Sequence, residues 1–204
     1  KVNDSGSTFQ FSGFFDGTDY YADADTLREW GKHSNEMDLI YVRGNAPADW
    51  DTSYDYNACC LTTLVHEFQH MVNFGQTYWN FNGEPGESDT WINEMMSTAA
   101  ETVYFKEKLK NDPSFTDPTM IGDGYVYQYV EYYNQDGDGK IRNGHGLAYW
   151  DYYGDPLPNY SLAYLFGQYL AIHSANGSAV FKLILDEMIA DNIRDYRAVE
   201  AAAA

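Results

Sequence analysis

Residues 66–70 read His66-Glu67-Phe68-Gln69-His70. Four positions apart on an α-helix, side chains leave the axis only roughly 40° apart. His66 and His70 can therefore each aim a ring nitrogen at one ion. Glu67 follows the first of them directly, so its carboxylate lies beside such an ion rather than on it. That is the place for a base that takes a proton from water activated by a metal. Two core histidines satisfied by hydrogen bonds are the alternative reading of the same five residues.

A second stretch supplies what the first lacks. Residues 91–94 are Trp-Ile-Asn-Glu, and a helical pattern runs on through Glu101, with Ser88, Asp89 or Thr90 ready to cap it. Glu94 lies 24 residues beyond His70, room for one loop and a returning helix. His66, His70 and Glu94 would form a His₂Glu set with an open fourth position, a ligand pattern of catalytic zinc. Glu101 returns to nearly the same face as Glu94. It can orient a ligand histidine, or it is an exposed helix carboxylate.

Taken together, "TLVHEFQHMVN" and "WINEMMSTAAE" resemble the gluzincin metallopeptidases, and among them are similar to the hyicolysin family. The resemblance covers roughly residues 10–190 and is specific at 61–74 and 91–101. It implies an α+β, zincin-like fold: a small mixed sheet, then the active-site helices, then a mainly helical C-terminal part. It places the strand at 37–42 in the sheet that lines the cleft. It implies a secreted bacterial zinc endopeptidase, extracellular or at the cell surface, with one catalytic Zn2+ and a protein or peptide substrate. Asn93 would hydrogen-bond substrate backbone. A Tyr or His on a later helix would stabilise the oxyanion: Tyr164 first, then Tyr160, His145 and His173. Tyr78, in the connection between the metal helices, does not match the family's tyrosine there. Two rivals remain. An aminopeptidase of the same superfamily would need a G-x-M-E-N-like segment, which is missing. A surface-binding module with a vestigial zinc site fits poorly with an intact ligand set and base.

The elements that must position these groups are partly legible. Leu61, Leu64, Val65, Phe68, Met71, Val72 and Phe74 have helical spacing, and Gly75 follows as a left-handed terminator. Residues 37–42 read as the clearest strand, and 8–21 as strand and turn. Residues 22–32 read as a short helix or a loop, and 125–130 as strand or helix. Residues 161–173 are apolar nearly all round, a buried helix. Residues 178–190 are amphipathic, with Val180, Phe181, Leu183, Ile184, Leu185, Met188 and Ile189 inward. One domain spans 1–204, with 1–75 as a sheet lobe plus the motif helix and 76–204 as a mainly helical lobe. Asn134, Asp136 and Asp138 alternate as in the start of an EF-hand loop, with Gly139 and Ile141 following. The twelfth position is His145 rather than a bidentate Glu, so bound Ca2+ and an acidic turn are both open.

Asp and Glu number 31 against 12 Lys and Arg, a net charge of −19 over 204 residues. That balance argues against nucleic acid and anionic membrane surfaces as partners. No apolar run of about 18 residues exists to span a bilayer. The chain is expected to act as a monomer. Its first residues read as a processed or excised start, and the terminal alanines are given no functional role. Cys59 and Cys60 are adjacent, so packing is favoured over a strained vicinal disulfide.

Overall fold

The computed structural model describes residues 13–45, 56–80, 88–112, 124–134, 141, 146–152 and 155–204. Two long helices dominate: α2 (Tyr56–Asn80) and α3 (Thr90–Asn111), packed against one another. The motif helix is longer than the pattern at 61–74 predicts. Gly75 does not end it, because that glycine serves a close approach instead. It is buried, and a Cβ there would stand 3.3 Å from the Tyr20 hydroxyl. Cys59 and Cys60 lie inside the helix, ahead of the predicted stretch. They form no disulfide with each other, and Cys60 Sγ faces the Arg43 carbonyl at 3.7 Å.

The buried face of α2 is also not the predicted one. Leu61, Leu64 and Phe68 are exposed, while His66, Glu67, Asn73, Phe74 and Thr77 are buried. A polar group enters the interior only where partners await it. The partners of the two histidines sit on α3, so α2 turns its chemistry inward and leaves part of its apolar stripe in solvent.

Strands β1 (Gly13–Phe15) and β2 (Ile40–Val42) pair antiparallel, with Gly13 opposite Val42, Phe14 opposite Tyr41 and Phe15 opposite Ile40. Only the last three residues of the predicted 37–42 strand belong to it. The Met37 N–H is drawn to the Asp19 carbonyl at 2.9 Å, which takes the start of that stretch out of the ladder. Between the strands lie a 3₁₀ turn at 17–20 and α1 (Asp23–Trp30), closed by Gly31 at φ 67°. Asp19, buried, accepts from Asn35 and from the Tyr41 hydroxyl at 2.7 Å, pinning the loop to β2. The sheet lies against α2: at Gly13 a Cβ would fall 2.7 Å from the Thr63 methyl. The described architecture is therefore α+β in a coarse sense, mostly helical. Its sheet is antiparallel rather than mixed among the described residues.

The stretch around 125–130 is helical, within α4 (Gly124–Asn134). It is followed by α5 (Leu157–His173), a 3₁₀ turn at 177–179, α6 (Val180–Asp191) and α7 (Tyr196–Ala203). The core joins Ile92 and Met95 of α3, Ala163 of α5, Val180, Ile184 and Met188 of α6, and Ala198 of α7. Of the terminal alanines, Ala202 is buried in the same core. Alanine is the best helix former and the smallest side chain that still buries apolar surface. No described helix is long and apolar enough to cross a membrane.

Candidate metal centre

α2 and α3 run side by side so that His66, His70 and Glu94 meet, with one ligand-capable atom of each within 4.8 Å of the others. His66 Nε2 stands 3.0 Å from Glu94 Oε2, and His70 Nε2 stands 3.5 Å from the same oxygen. Ligands about 2.0–2.1 Å from a tetrahedral zinc lie roughly 3.3–3.4 Å from each other. The spacing therefore fits such an ion without rearrangement of the helices.

The outer nitrogens are tied down. His66 Nδ1 donates to Glu101 Oε1 at 2.6 Å, and His70 Nδ1 is 3.1 Å from Ser97 Oγ. These bonds fix the ring planes and leave both Nε2 atoms facing inward, as metal-binding imidazoles require. Glu94, Ser97 and Glu101 are three and four residues apart, so one face of α3 supplies the candidate carboxylate ligand and both outer partners. Glu101, open from its spacing as a partner for a histidine or as an exposed carboxylate, is buried against His66. Ser97 was missed by sequence reasoning, and its position three residues after Glu94 was the available signal.

Charge is arranged around the same three residues. Burial opposes charge on His66, but Glu101 and Glu94 outweigh it and push the imidazole up to about 10. Burial would also raise Glu94, yet the hydrogen bonds from His66 and His70 hold it down at about 2. Burial pushes the Glu101 carboxyl up, against the pull of His66. Glu67 is buried, and burial raises it as well. His66, His70 and the Phe15 backbone N–H, which donates to its carboxylate, work the other way. A buried carboxyl raised above its ordinary range is suited to taking up and releasing a proton.

The C-terminal candidates separate clearly. Tyr160, at the start of α5, donates from its hydroxyl to Glu94 Oε1 at 3.3 Å, and its ring centre is 6.3 Å from that of His66. Burial, then Glu94, raises that hydroxyl above its ordinary range. Tyr164, one turn later, is buried with its ring stacked on Tyr125, whose hydroxyl donates to Glu101 at 3.5 Å. His173, exposed, ends α5 against Tyr169, roughly 20 Å along the helix from Tyr160 at 1.5 Å per residue. His145, Asp136 and Asp138 lie outside the described residues, and Asn134 closes α4. Asn93 Oδ1 accepts from Asn73 Nδ2 at 2.7 Å. Asn93, His70 and Glu94 border a cleft of about 270 Å³ that also reaches Phe15 of β1.

No protein-family model matches the chain. Among curated proteins the chain is similar to the "Neutral metalloprotease ShpI" of Staphylococcus hyicus, at 34% identity over 155 residues, or 76% of the chain. The matched stretch is 31% of that relative, so the chain spans about a third of the protein it resembles.

Proposed function

We propose that this chain is the catalytic portion of a zinc-dependent metalloprotease of the gluzincin type, similar to hyicolysin, that hydrolyses internal peptide bonds. The observation that carries this reading is the meeting of His66, His70 and Glu94 at zinc-ligand spacing, with Glu67 beside them. The relative's name supports it. Bound by those three residues, zinc would supply Lewis acidity, polarising the scissile carbonyl and acidifying the attacking water.

The chain's own groups do the rest. Glu67 takes a proton from the attacking water and hands it to the leaving amine, base first and acid second. Tyr160, rather than Tyr164, donates to the developing oxyanion, because its hydroxyl already reaches Glu94. Glu101 and Ser97 hold the histidines in place. Asn93, oriented by Asn73 at the edge of the cleft, bonds substrate backbone. Phe15 brings β1 to the cleft, where an extended substrate can run past the site in both directions. Among the described residues no carboxylate other than Glu94 lines that cleft, which disfavours capture of a free amino terminus. Action outside the cell, as a monomer, belongs to the same reading.

Incubation with a denatured protein and with end-blocked peptides, with and without chelator, tests the reaction. Internal cleavage that chelator abolishes is expected. Glu94→Ala should lose zinc, and Glu67→Gln should keep it while turnover falls by about 10²–10⁴. Full turnover by Glu67→Gln would overturn the proposed base.

A further inference from the structure

Tyr160, the proposed oxyanion donor, sits in the first turn of α5 and is only half-buried. Burial alone therefore does not fix its ring. Long side chains on a helix lean back toward its N-terminus. There the ring meets Trp150, on the chain that leads into α5. The two rings pack edge to face, with centres 5.1 Å apart and planes at 76°. Aromatic pairs favour that arrangement. The other ring beside Tyr160 is that of His66, at 6.3 Å. Trp150 is thus the aromatic neighbour that lies outside the metal centre.

Trp150 is held in turn by the residue next to Tyr160. Asn159 is 1% exposed. Its Nδ2 donates to the Tyr149 carbonyl, and its Oδ1 accepts from the Asp151 N–H at 3.3 Å. The two bonds grip the backbone on either side of Trp150. Their direction is fixed, because a backbone carbonyl only accepts and a backbone N–H only donates. Turned over, the amide would set oxygen against oxygen and N–H against N–H. The indole itself packs against the core shared by α3, α5, α6 and α7. Backbone and ring of Trp150 are therefore both anchored, and Tyr160 leans on an anchored surface.

We propose that Trp150 and Asn159 are positioning residues for the oxyanion donor. Asn159 clamps the backbone around Trp150, and the indole holds the Tyr160 ring where its hydroxyl reaches Glu94 Oε1. This rests on the proteolytic reading, in which Tyr160 acts on the intermediate. A reacting group keeps its geometry only if its supports do, and a misplacement of about 1 Å can cost about 100-fold in rate. The cleft lining includes neither Trp150 nor Asn159, so their loss should fall on kcat rather than KM.

The test compares variants of the zinc-loaded chain on an end-blocked quenched peptide. Trp150→Leu should lower kcat about 10–100-fold, with KM and zinc content near wild type. Trp150→Phe keeps an aromatic ring against Tyr160 and should recover most of the loss. In a Tyr160→Phe background no hydroxyl needs holding, so Trp150→Leu should cost little more. Asn159→Leu should lower kcat in the same way. If it fails to fold, Asn159→Asp takes its place, keeping the acceptor for Asp151 and losing the donor for Tyr149. Proton NMR reads the clamp without any reaction, through the nuclear Overhauser contact between the indole and the Tyr160 ring. That contact should be strong in the wild-type chain and weakened in the Asn159 variant. The same NMR result with no turnover by the wild-type chain would sink the proteolytic reading and keep the clamp. Unaltered kcat in Trp150→Leu, an equal further loss in the Tyr160→Phe background, or an undiminished contact in the Asn159 variant would overturn the positioning.

Discussion

His66 and His70, the proposed metal ligands, each have the outer nitrogen held by α3, His66 by a carboxylate and His70 by a hydroxyl. The stronger, charge-assisted partner should matter more. Glu101→Gln is expected to weaken zinc about 10–100-fold in competition with a chelating dye, and Ser97→Ala to weaken it less. Equal losses would show that the charge on Glu101 contributes nothing. Tyr160→Phe should keep full zinc content while kcat falls about 10²–10³-fold, whereas Tyr164→Phe should leave kcat near wild type. At this scale the sequence was informative wherever spacing alone sets geometry. The shared face of His66 and His70, with Glu67 beside it, follows from helix pitch, while Glu94 was reached through the Trp-Ile-Asn-Glu stretch of a second helix. A serine three residues after a glutamate is unremarkable until a partner histidine is seen opposite it. Tyr160 and Tyr164 share one helix and one chemistry, and only the approach of α5 to α3 distinguishes them.

Among the elements, α3 serves two masters. One face carries Glu94, Ser97 and Glu101, and the other buries Ile92 and Met95 in the core. The core packing of α3 against α5 therefore sets where the Glu94 carboxylate stands relative to Tyr160. Gly167 of α5 makes the approach possible, since a Cβ there would lie 3.1 Å from Met95 Cγ. Gly167→Val should cost about 1–3 kcal/mol in denaturant unfolding by overpacking, and should reduce kcat as Tyr160 is levered away from Glu94. A stability loss with unaltered kcat would show that the two helices yield without moving the site. Helix periodicity revealed α3 and α6 because their apolar residues face a common core, whereas α5, read as a buried helix apolar nearly all round, leaves Tyr169 and Ile172 exposed. It misjudged α2, whose buried face is polar and whose Gly75 serves contact with Tyr20. It overextended β2 because a β-branched run says nothing of the Asp19 carbonyl that claims the Met37 amide.

For the molecule as a whole, the metal centre links stability to pH. The His66 value of about 10 lies above 6.5, so its contribution to the metal-free fold is complete below pH 6.5 and drains away as pH rises through about 10. The Glu94 value of about 2 lies below 4.5, so its contribution is present above pH 4.5 and is lost as pH falls through about 2. The melting midpoint of the chelated protein should therefore decline between pH 6.5 and 10, and the zinc-loaded protein should not share that decline. Zinc at 100 times its Kd should add about 2.7 kcal/mol if it binds only the folded chain. A chelated protein with a flat alkaline profile would mean that the His66 proton is not held as described. The net charge of −19 gave no sign of this small cluster, where opposite charges are packed out of water. One consequence reaches back to the strand that flanks the site. The Phe15 amide lends its hydrogen to the carboxylate of Glu67, so the proton affinity of that carboxylate doubles as a gauge of where β1 sits. Any bound peptide that pries the strand outward would make Glu67 harder to ionise and drag the acidic limb of the rate profile upward, so that occupancy of the groove tunes the proposed base that deprotonates the attacking water.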